Sequence, residues 1–140
     1  MNEPINIFWF RRDLRLEDNR GFFEALKANN PVLPIFIFDT EILHKLPEND
    51  ARVTFIYNAL QSMRKELQEE HESSIAILKG KPINVFKNLV KEYTIKAVYT
   101  NHDYEPYATK RDNEIGDFLS ENGIAFNTYK DHVIFENFLL

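Results

Sequence analysis

Five short apolar runs alternate with amphipathic segments of helical length, and this alternation restricts the fold more than any other feature of the chain. Ile5–Phe10, Val32–Phe38, Ile75–Leu78, Lys96–Thr100 and Ile124–Tyr129 have strand length. The first is nearly continuous in apolar residues, as strands covered on both faces of a parallel sheet are. Pro34 lacks a donor, so it predicts an edge or irregular position for the second strand. A loop of about eleven residues follows from Asp39.

The intervening segments carry helix signals. Asp18 is a suitable N-cap for a helix to about Asn29, with Phe22, Phe23 and Leu26 on its inner face and Asn29-Asn30-Pro31 as its stop. Asp50 caps the longest helix, to about His71. There Val53, Ile56, Leu60, Met63 and Leu67 recur at alternating spacings of 3 and 4, one apolar stripe of a helix. Arg64, Lys65, Glu66, Glu69 and Glu70 fall on the far face and read as solvated. Pro82 opens a third helix that buries Ile83, Phe86, Leu89, Val90 and Tyr93, since proline is harmless at a first helical position. Pro106 opens a fourth, with Ile115, Phe118 and Leu119 inward and Asn122-Gly123 as its stop.

Strands alternating with helices predict an α/β fold. Right-handed crossovers and neighbouring sequential strands favour one arrangement, a three-layer Rossmann-like domain with a five-stranded parallel sheet in the order 3-2-1-4-5. At 140 residues the chain is long enough for one domain and its core. Residues 1–130 are expected to form that domain. The tail breaks the pattern: Val133, Ile134, Phe135, Phe138, Leu139 and Leu140 make an apolar ending with no further element to bury them. Residues 131–140 therefore read as the start of a linker to protein that follows.

Composition narrows the chemistry. There is no cysteine, which excludes disulfides, thiol nucleophiles and cysteine-held metals. Neither a signal peptide nor an apolar run of about 20 residues is present, so a cytoplasmic protein without membrane contact is expected. Net charge is −5. A domain that grips a nucleic-acid backbone needs a surplus of Lys and Arg, so this chain by itself is not expected to hold DNA.

The strand order places a crevice where it reverses, between strands one and four, and ligands of open α/β sheets bind at such switch points. Both bordering strand ends are polar and aromatic. The first continues as Arg11-Arg12-Asp13-Leu14-Arg15-Leu16-Glu17-Asp18, three arginines and three acids in eight residues. Two readings stand for it: Arg11 and Arg12 bracket an anionic or planar ligand, or Arg12, Asp13, Arg15 and Asp18 form an ion-pair network tying loop to helix. Arg11 lies nearest the crevice. The fourth strand continues as Asn101-His102-Asp103-Tyr104-Glu105. Asn101, Asp103 and Glu105 alternate along an extended segment, so all three are expected to point one way. Polar groups converging beside Tyr104 and Tyr107 suit a heteroaromatic ligand, although solvation of the loop and capping of helix four would use the same residues.

Other chemistries lack their signals. Asp39 stands where a dinucleotide fold places a ribose-binding acid, but no GxGxxG accompanies it. Gly80-Lys81 is a turn, not a phosphate loop. His44, His71, His102 and His132 have no metal-ligand spacing, and no serine occupies a GxSxG elbow. From residues alone the chain reads as a ligand-binding α/β domain without its own nucleophile, base or metal.

Trp9-Phe10-Arg11-Arg12-Asp13-Leu14-Arg15-Leu16-Glu17-Asp18-Asn19 closely resembles the N-terminal signature of DNA photolyases and cryptochromes. Asn101 to Ala108 with Lys110-Arg111-Asp112 resembles a second block of that family. Asp39 with Ile42-Leu43, Ala51-Arg52-Val53 with Phe55, and Asp131-His132 also match. The resemblance implies the family's N-terminal antenna domain, in full-length members followed by a helical domain that binds FAD and the pyrimidine dimer. There, light excites reduced FAD, which splits the dimer. The fragment alone would then be an inactive part of a carbon–carbon lyase, and damaged DNA a partner of the missing part. The resemblance also implies an antenna chromophore, a deazaflavin, flavin or folate, lined by Arg11, Asp103 and Glu105 with Phe10, Asp39 and Asn101 as neighbours. Some folate-binding members carry an Asn-Glu pair inside helix four where this chain has Tyr107-Ala108, so folate held in that manner is not implied. Alternatives are a cryptochrome photoreceptor, a (6-4) photolyase domain, and a stand-alone nucleotide-binding stress-type domain. The last predicts a glycine-rich phosphate loop, which is not found around Gly116 or Gly123.

Overall fold

The computed structural model describes residues 3–11, 14–40, 51–70, 73–103 and 106–130, with the side chains of 106 and 107 left aside. The elements in chain order are β1 (Ile5–Phe10), α1 (Arg20–Lys27), β2 (Val32–Asp39), α2 (Ala51–Glu70), β3 (Ala76–Gly80), α3 (Pro82–Glu92), β4 (Ile95–Asn101), α4 (Pro106–Glu121) and β5 (Ala125–Tyr129). The sheet is parallel with order β3-β2-β1-β4-β5, as the alternation predicts.

Each central strand divides its residues between two cores. Ile7 and Trp9 join Ile35, Ile37 and Val98 beneath α3 and α4, against Val85, Phe86, Leu89, Ile115 and Leu119. Phe8 and Phe10 face the opposite way, toward Phe22 and Ala25 of α1 and Leu60, Met63 and Leu67 of α2. The period-two alternation of a pleated strand explains the split, and double-sided burial explains why β1 has almost no polar residue.

Four details depart from the sequence reading. The first helix starts later: Asn19 is its N-cap, accepting from the Phe22 N–H, while Asp18 stands before it with φ of +52°. Its inner face is Gly21, Phe22 and Ala25, leaving Phe23 57% and Leu26 50% exposed. Pro34 does not mark an edge, because β2 lies between β3 and β1. It pairs in register with Phe8, and β3 runs alongside only from Ile35, so the sheet is one-sided where the donor is missing. Tyr93 is exposed at the C-cap of α3, and Val85 is buried instead. Arg64 is half-buried, donating to the Ile75 carbonyl at 3.2 Å. Thr40, directly after Asp39, is helical; the rest of the expected loop, the Asp50 cap and the tail from 131 lie outside the described residues.

The stop of α4 is a two-bond Schellman cap. Gly123 N–H donates to Ser120 O and Ile124 N–H to Leu119 O, with Gly123 at φ +71°. Ile124 and Leu119 share the core beneath, and the chain is turned directly into β5.

Candidate functional site

The polar residues at the carboxyl ends of β1, β2 and β4 form two separate networks on opposite faces of the sheet. On the α4 face, Arg11 follows Phe10 out of β1 and lies on the same side as Trp9. Its Nε donates to Thr100 Oγ1 at 3.0 Å, its Nη1 donates to Asp112 Oδ2 at 2.8 Å, and its guanidinium carbon sits 4.2 Å from the centre of the Trp9 ring. Thr100 in turn donates to the Trp9 carbonyl at 2.8 Å. The Arg11 side chain is 6% exposed. Burial pushes its guanidinium below the ordinary value, and the adjacent Asp112 carboxylate opposes that shift.

A second guanidinium comes from the neighbouring residue of α4. Arg111 Nη1 donates to Asp39 Oδ2 at 3.3 Å, Nη2 lies 3.9 Å from Asp103 Oδ2, and Nε lies 3.8 Å from Asp112 Oδ1. Its guanidinium carbon is 5.1 Å from the centre of the same Trp9 ring. Two planar cations against one indole, with Phe86 edge-on at 5.1 Å, make a stacked, charge-paired plug at the head of the sheet. Its ionic members come from the residue after β1, from the end of β2, from the segment after β4, and from α4.

On the α1 face, Asn101 accepts from the Gly21 N–H at 2.8 Å and donates to Asn19 Oδ1 at 2.7 Å. Asn19 also donates to the Arg15 carbonyl at 3.0 Å, and Arg15 Nε donates to the Asp18 carbonyl at 3.0 Å. This network sews the loop after β1 to the N-terminus of α1.

The structure thus brings together Arg11, Asp39 and Asp103, and separates Asn101 and Phe10 from them. Phe10 is fully buried between Phe8 and Phe22 on the α1 face. Asn101 and Asp103 do not point one way: β4 ends at Asn101, so strand alternation no longer governs Asp103, which reaches the α4 side. Glu105, Arg12 and Tyr104 lie outside the described residues. A cleft of about 260 Å³ opens one strand over, between α4 and β5, lined by His102, Asp103, Thr109, Asp112, Asn113, Gly116, Asp117, Phe126 and Thr128. Asp103 and Asp112 belong both to this cleft and to the Arg–Trp cluster. Among the described residues no group of three His, Asp or Glu is placed to hold a metal ion, and no helix is long and apolar enough to cross a membrane.

Sequence reasoning missed Arg111 and Asp112 as site residues. A signal was available: 111 and 112 continue the inward stripe of Ala108, Ile115 and Leu119 at spacings of 3 and 4. Charges on an apolar stripe must be paired inside the fold.

The geometry can be set beside known proteins. A family model described as DNA photolyase matches residues 6–137. The chain is 35% identical over 124 residues to the deoxyribodipyrimidine photo-lyase of a Synechococcus strain, covering 89% of this chain and 25% of that protein. It is 27% identical over 130 residues to Cryptochrome-1 of Gallus gallus, covering 93% of this chain and 21% of the other. The structure superposes on an archaeal photolyase from Sulfolobus tokodaii with a TM-score of 0.77 and 35% identity, covering 90% of this chain and 29% of that one. The chain spans about half the length, or less, of the curated relatives it matches.

Proposed function

The chain belongs to the DNA photolyase family, and from that premise we propose that it is the N-terminal, light-harvesting portion of a deoxyribodipyrimidine photolyase. The observation that carries this reading is the 35% identity to the Synechococcus photo-lyase across 124 residues. The cryptochrome match is more distant, at 27%. In this reading the chain alone repairs nothing. Light-driven cleavage of pyrimidine dimers and the grip on damaged DNA belong to a helical, FAD-binding part of a longer protein. The net charge of −5 fits that division, because this portion has no cationic surplus with which to hold a phosphate backbone.

We further propose that the α/β portion holds an antenna chromophore at the carboxyl ends of β1, β2 and β4, with Arg11, Asp39, Asp103 and Glu105 around it; Phe10 and Asn101, on the opposite face of the sheet, are left out of the site. The Sulfolobus tokodaii photolyase is described with two FAD molecules and the implication of a novel light-harvesting cofactor. The donor set here suits such a group. Asp103, on the wall of the cleft, supplies an acceptor for a ring or hydroxyl donor, with Asp39, Arg11 and Arg111 buried and paired behind it. A chromophore held there would absorb light and pass its excitation on. The protein's task is to fix its orientation and exclude water.

Two measurements test the reading. Fluorescence titration of the 140-residue chain with flavins should show saturable binding that weakens in an Arg11→Ala/Glu105→Ala variant; indistinguishable curves would sink the chromophore assignment. The product of the complete reading frame should clear pyrimidine dimers from ultraviolet-damaged DNA under blue light. A protein that binds FAD yet leaves the dimers intact would move the assignment to the cryptochromes.

A further inference from the structure

Phe23, Leu26 and Phe55 are large apolar side chains left 57%, 50% and 72% exposed, and they fall along one groove. α1 and α2 lie on the same face of the sheet, and both run back from the carboxyl ends of their strands. The Arg20 guanidinium carbon stands 5.5 Å from the centre of the Tyr129 ring, and Arg20 pairs with Glu24, so these two mark the flank of α1 toward β5. At about 3.6 residues per turn, Phe23 and Leu26 fall on the other flank, toward α2. α2 lies on the β3 side, where Arg64 reaches the Ile75 carbonyl. It runs parallel to α1 and buries Leu60, Met63 and Leu67, so its own β5-facing flank carries Arg52, Phe55 and Ala59 and looks toward α1. On the opposite face α3 and α4 pack along each other, whereas α1 and α2 do not. The result is a groove with an apolar wall on each side, and patches of that kind mark docking surfaces.

The sequence holds a segment that fits the groove. Residues 131–140 carry Val133, Ile134, Phe135, Phe138, Leu139 and Leu140, together with Asp131 and Glu136 and no Lys or Arg. The rim of the groove is cationic: the Lys27 ammonium stands 5.2 Å from the centre of the Phe23 ring, and Arg52 is exposed on the α2 flank. Lys130, the last described residue, follows Tyr129, whose ring lies parallel to Tyr99 on the α1 face and beside Arg20. The chain therefore leaves the sheet next to the N-terminus of α1. Ten residues remain, which reach about 33 Å when extended. A helix is about 10–12 Å across, so the segment is long enough to pass over α1 and bring its apolar part into the groove. A tethered segment competes at an effective concentration in the mM range. A second copy lacks that advantage and, at a net charge of −5, is repelled. We propose that residues 131–140 dock into the groove between α1 and α2, with Phe135, Phe138 and Leu139 against Phe23, Leu26 and Phe55. This surface is separate from the crevice, and the inference does not depend on the chromophore reading.

The chain has no cysteine, so introduced cysteine pairs report contact without background. Leu26→Cys is combined in turn with Phe135→Cys, Phe138→Cys or Leu140→Cys in the 140-residue chain. Asp117→Cys, at an exposed position of α4 near Phe126 and Thr128, gives the comparison on the other face of the sheet. Internal disulfides formed under mild oxidation are followed by non-reducing electrophoresis and by mass. A disulfide needs Cα atoms within about 7 Å, and docking raises the local concentration of one thiol at the other. At least one tail position should therefore close on Leu26→Cys about tenfold faster than any closes on Asp117→Cys. In a second measurement, Phe135→Ser/Phe138→Ser/Leu139→Ser should uncover the groove and raise the fluorescence of an anilinonaphthalene dye severalfold, with the far-ultraviolet circular dichroism unchanged. Equal or faster closure on Asp117→Cys would overturn the proposal, and so would a dye signal that the serine variant leaves as it was. Disulfide-linked dimers that form faster than the internal bond would assign the groove to a second copy and overturn it as well.

Discussion

Replacing Gly21 by alanine sets two physical effects against each other, and the structure decides the sign. Gly21 is the second residue of α1 and its backbone is helical. Judged by helix propensity alone, alanine should gain about 0.8–1.0 kcal/mol. The tertiary structure opposes this. A Cβ at Gly21 would stand 2.7 Å from Asn101 Oδ1 and 2.8 Å from a ring carbon of Phe8. Neither neighbour yields freely. Phe8 is fully buried, with Phe10 at 4.6 Å and Phe22 at 5.4 Å between ring centres. Asn101 is held by the Gly21 N–H and by Asn19 Oδ1. Displacing Asn101 leaves a buried donor or acceptor unmet, at about 1–3 kcal/mol. Overpacking against Phe8 adds about 1–3 kcal/mol. After the propensity gain is subtracted, Gly21→Ala should destabilise the chain by roughly 3 kcal/mol. At about 2.1 cal/mol/K of unfolding entropy per residue, that lowers Tm by roughly 10 °C. Thermal and urea unfolding followed by far-ultraviolet circular dichroism will measure it. Asn101→Ala should relieve part of the cost, so the pair should be non-additive. A Gly21→Ala variant that melts at or above the wild-type temperature would refute the argument, because propensity would then outweigh the close approach.

Three other outcomes are expected. Asp112→Ala removes the carboxylate 2.8 Å from Arg11, whose side chain is 6% exposed, and as a broken buried ion pair should cost up to about 3–5 kcal/mol; the Arg11→Met/Asp112→Met double variant should melt above the Asp112→Ala single variant, and a lower melting point would contradict this. Gly123→Ala meets no neighbouring atom but keeps a φ of +71°, so it should cost about 1–2 kcal/mol from backbone strain alone, and a much larger loss in urea unfolding would show that packing is involved. Tyr129 should ionise above the ordinary tyrosine range, because partial burial, Glu24 and Tyr99 raise its pKa against the opposing pull of Arg20. A raised folded-state pKa means that its contribution to stability is present below pH of about 10 and is lost as pH rises through the folded value; ultraviolet difference titration of wild type against Tyr129→Phe should show a late component, and a midpoint at or below the ordinary value would disprove it.

Much of the architecture was legible from residue order because its signals are local. Pro82 and Pro106 open α3 and α4, and Gly123 closes α4. The Leu60, Met63 and Leu67 part of the α2 stripe is buried as its spacing requires. The first helix was misjudged because Asp18 and Asn19 are both competent caps. The choice of Asn19 depends on Asn101, 82 positions away, which donates to it. The site was less legible for the same reason. Arg11 and Asp39 stood out as charges at strand ends, but the residues that pair with them, Asp112 and Arg111, lie 101 and 72 positions away.

The sequence by itself determined the order of strands and helices, the parallel sheet with β1 at its centre, and the family signature at Trp9–Asn19, because hydrophobic period, capping and turn residues act over a few neighbours. Only the tertiary structure decided which charges meet. It turned Asn101 toward α1 and Asp103 toward α4, buried Arg11 against Asp112, and set Arg111 over Trp9 between Asp39 and Asp103. A buried charge takes whichever partner packing brings within about 4 Å, and that proximity is a property of the folded sheet, not of spacing along the chain.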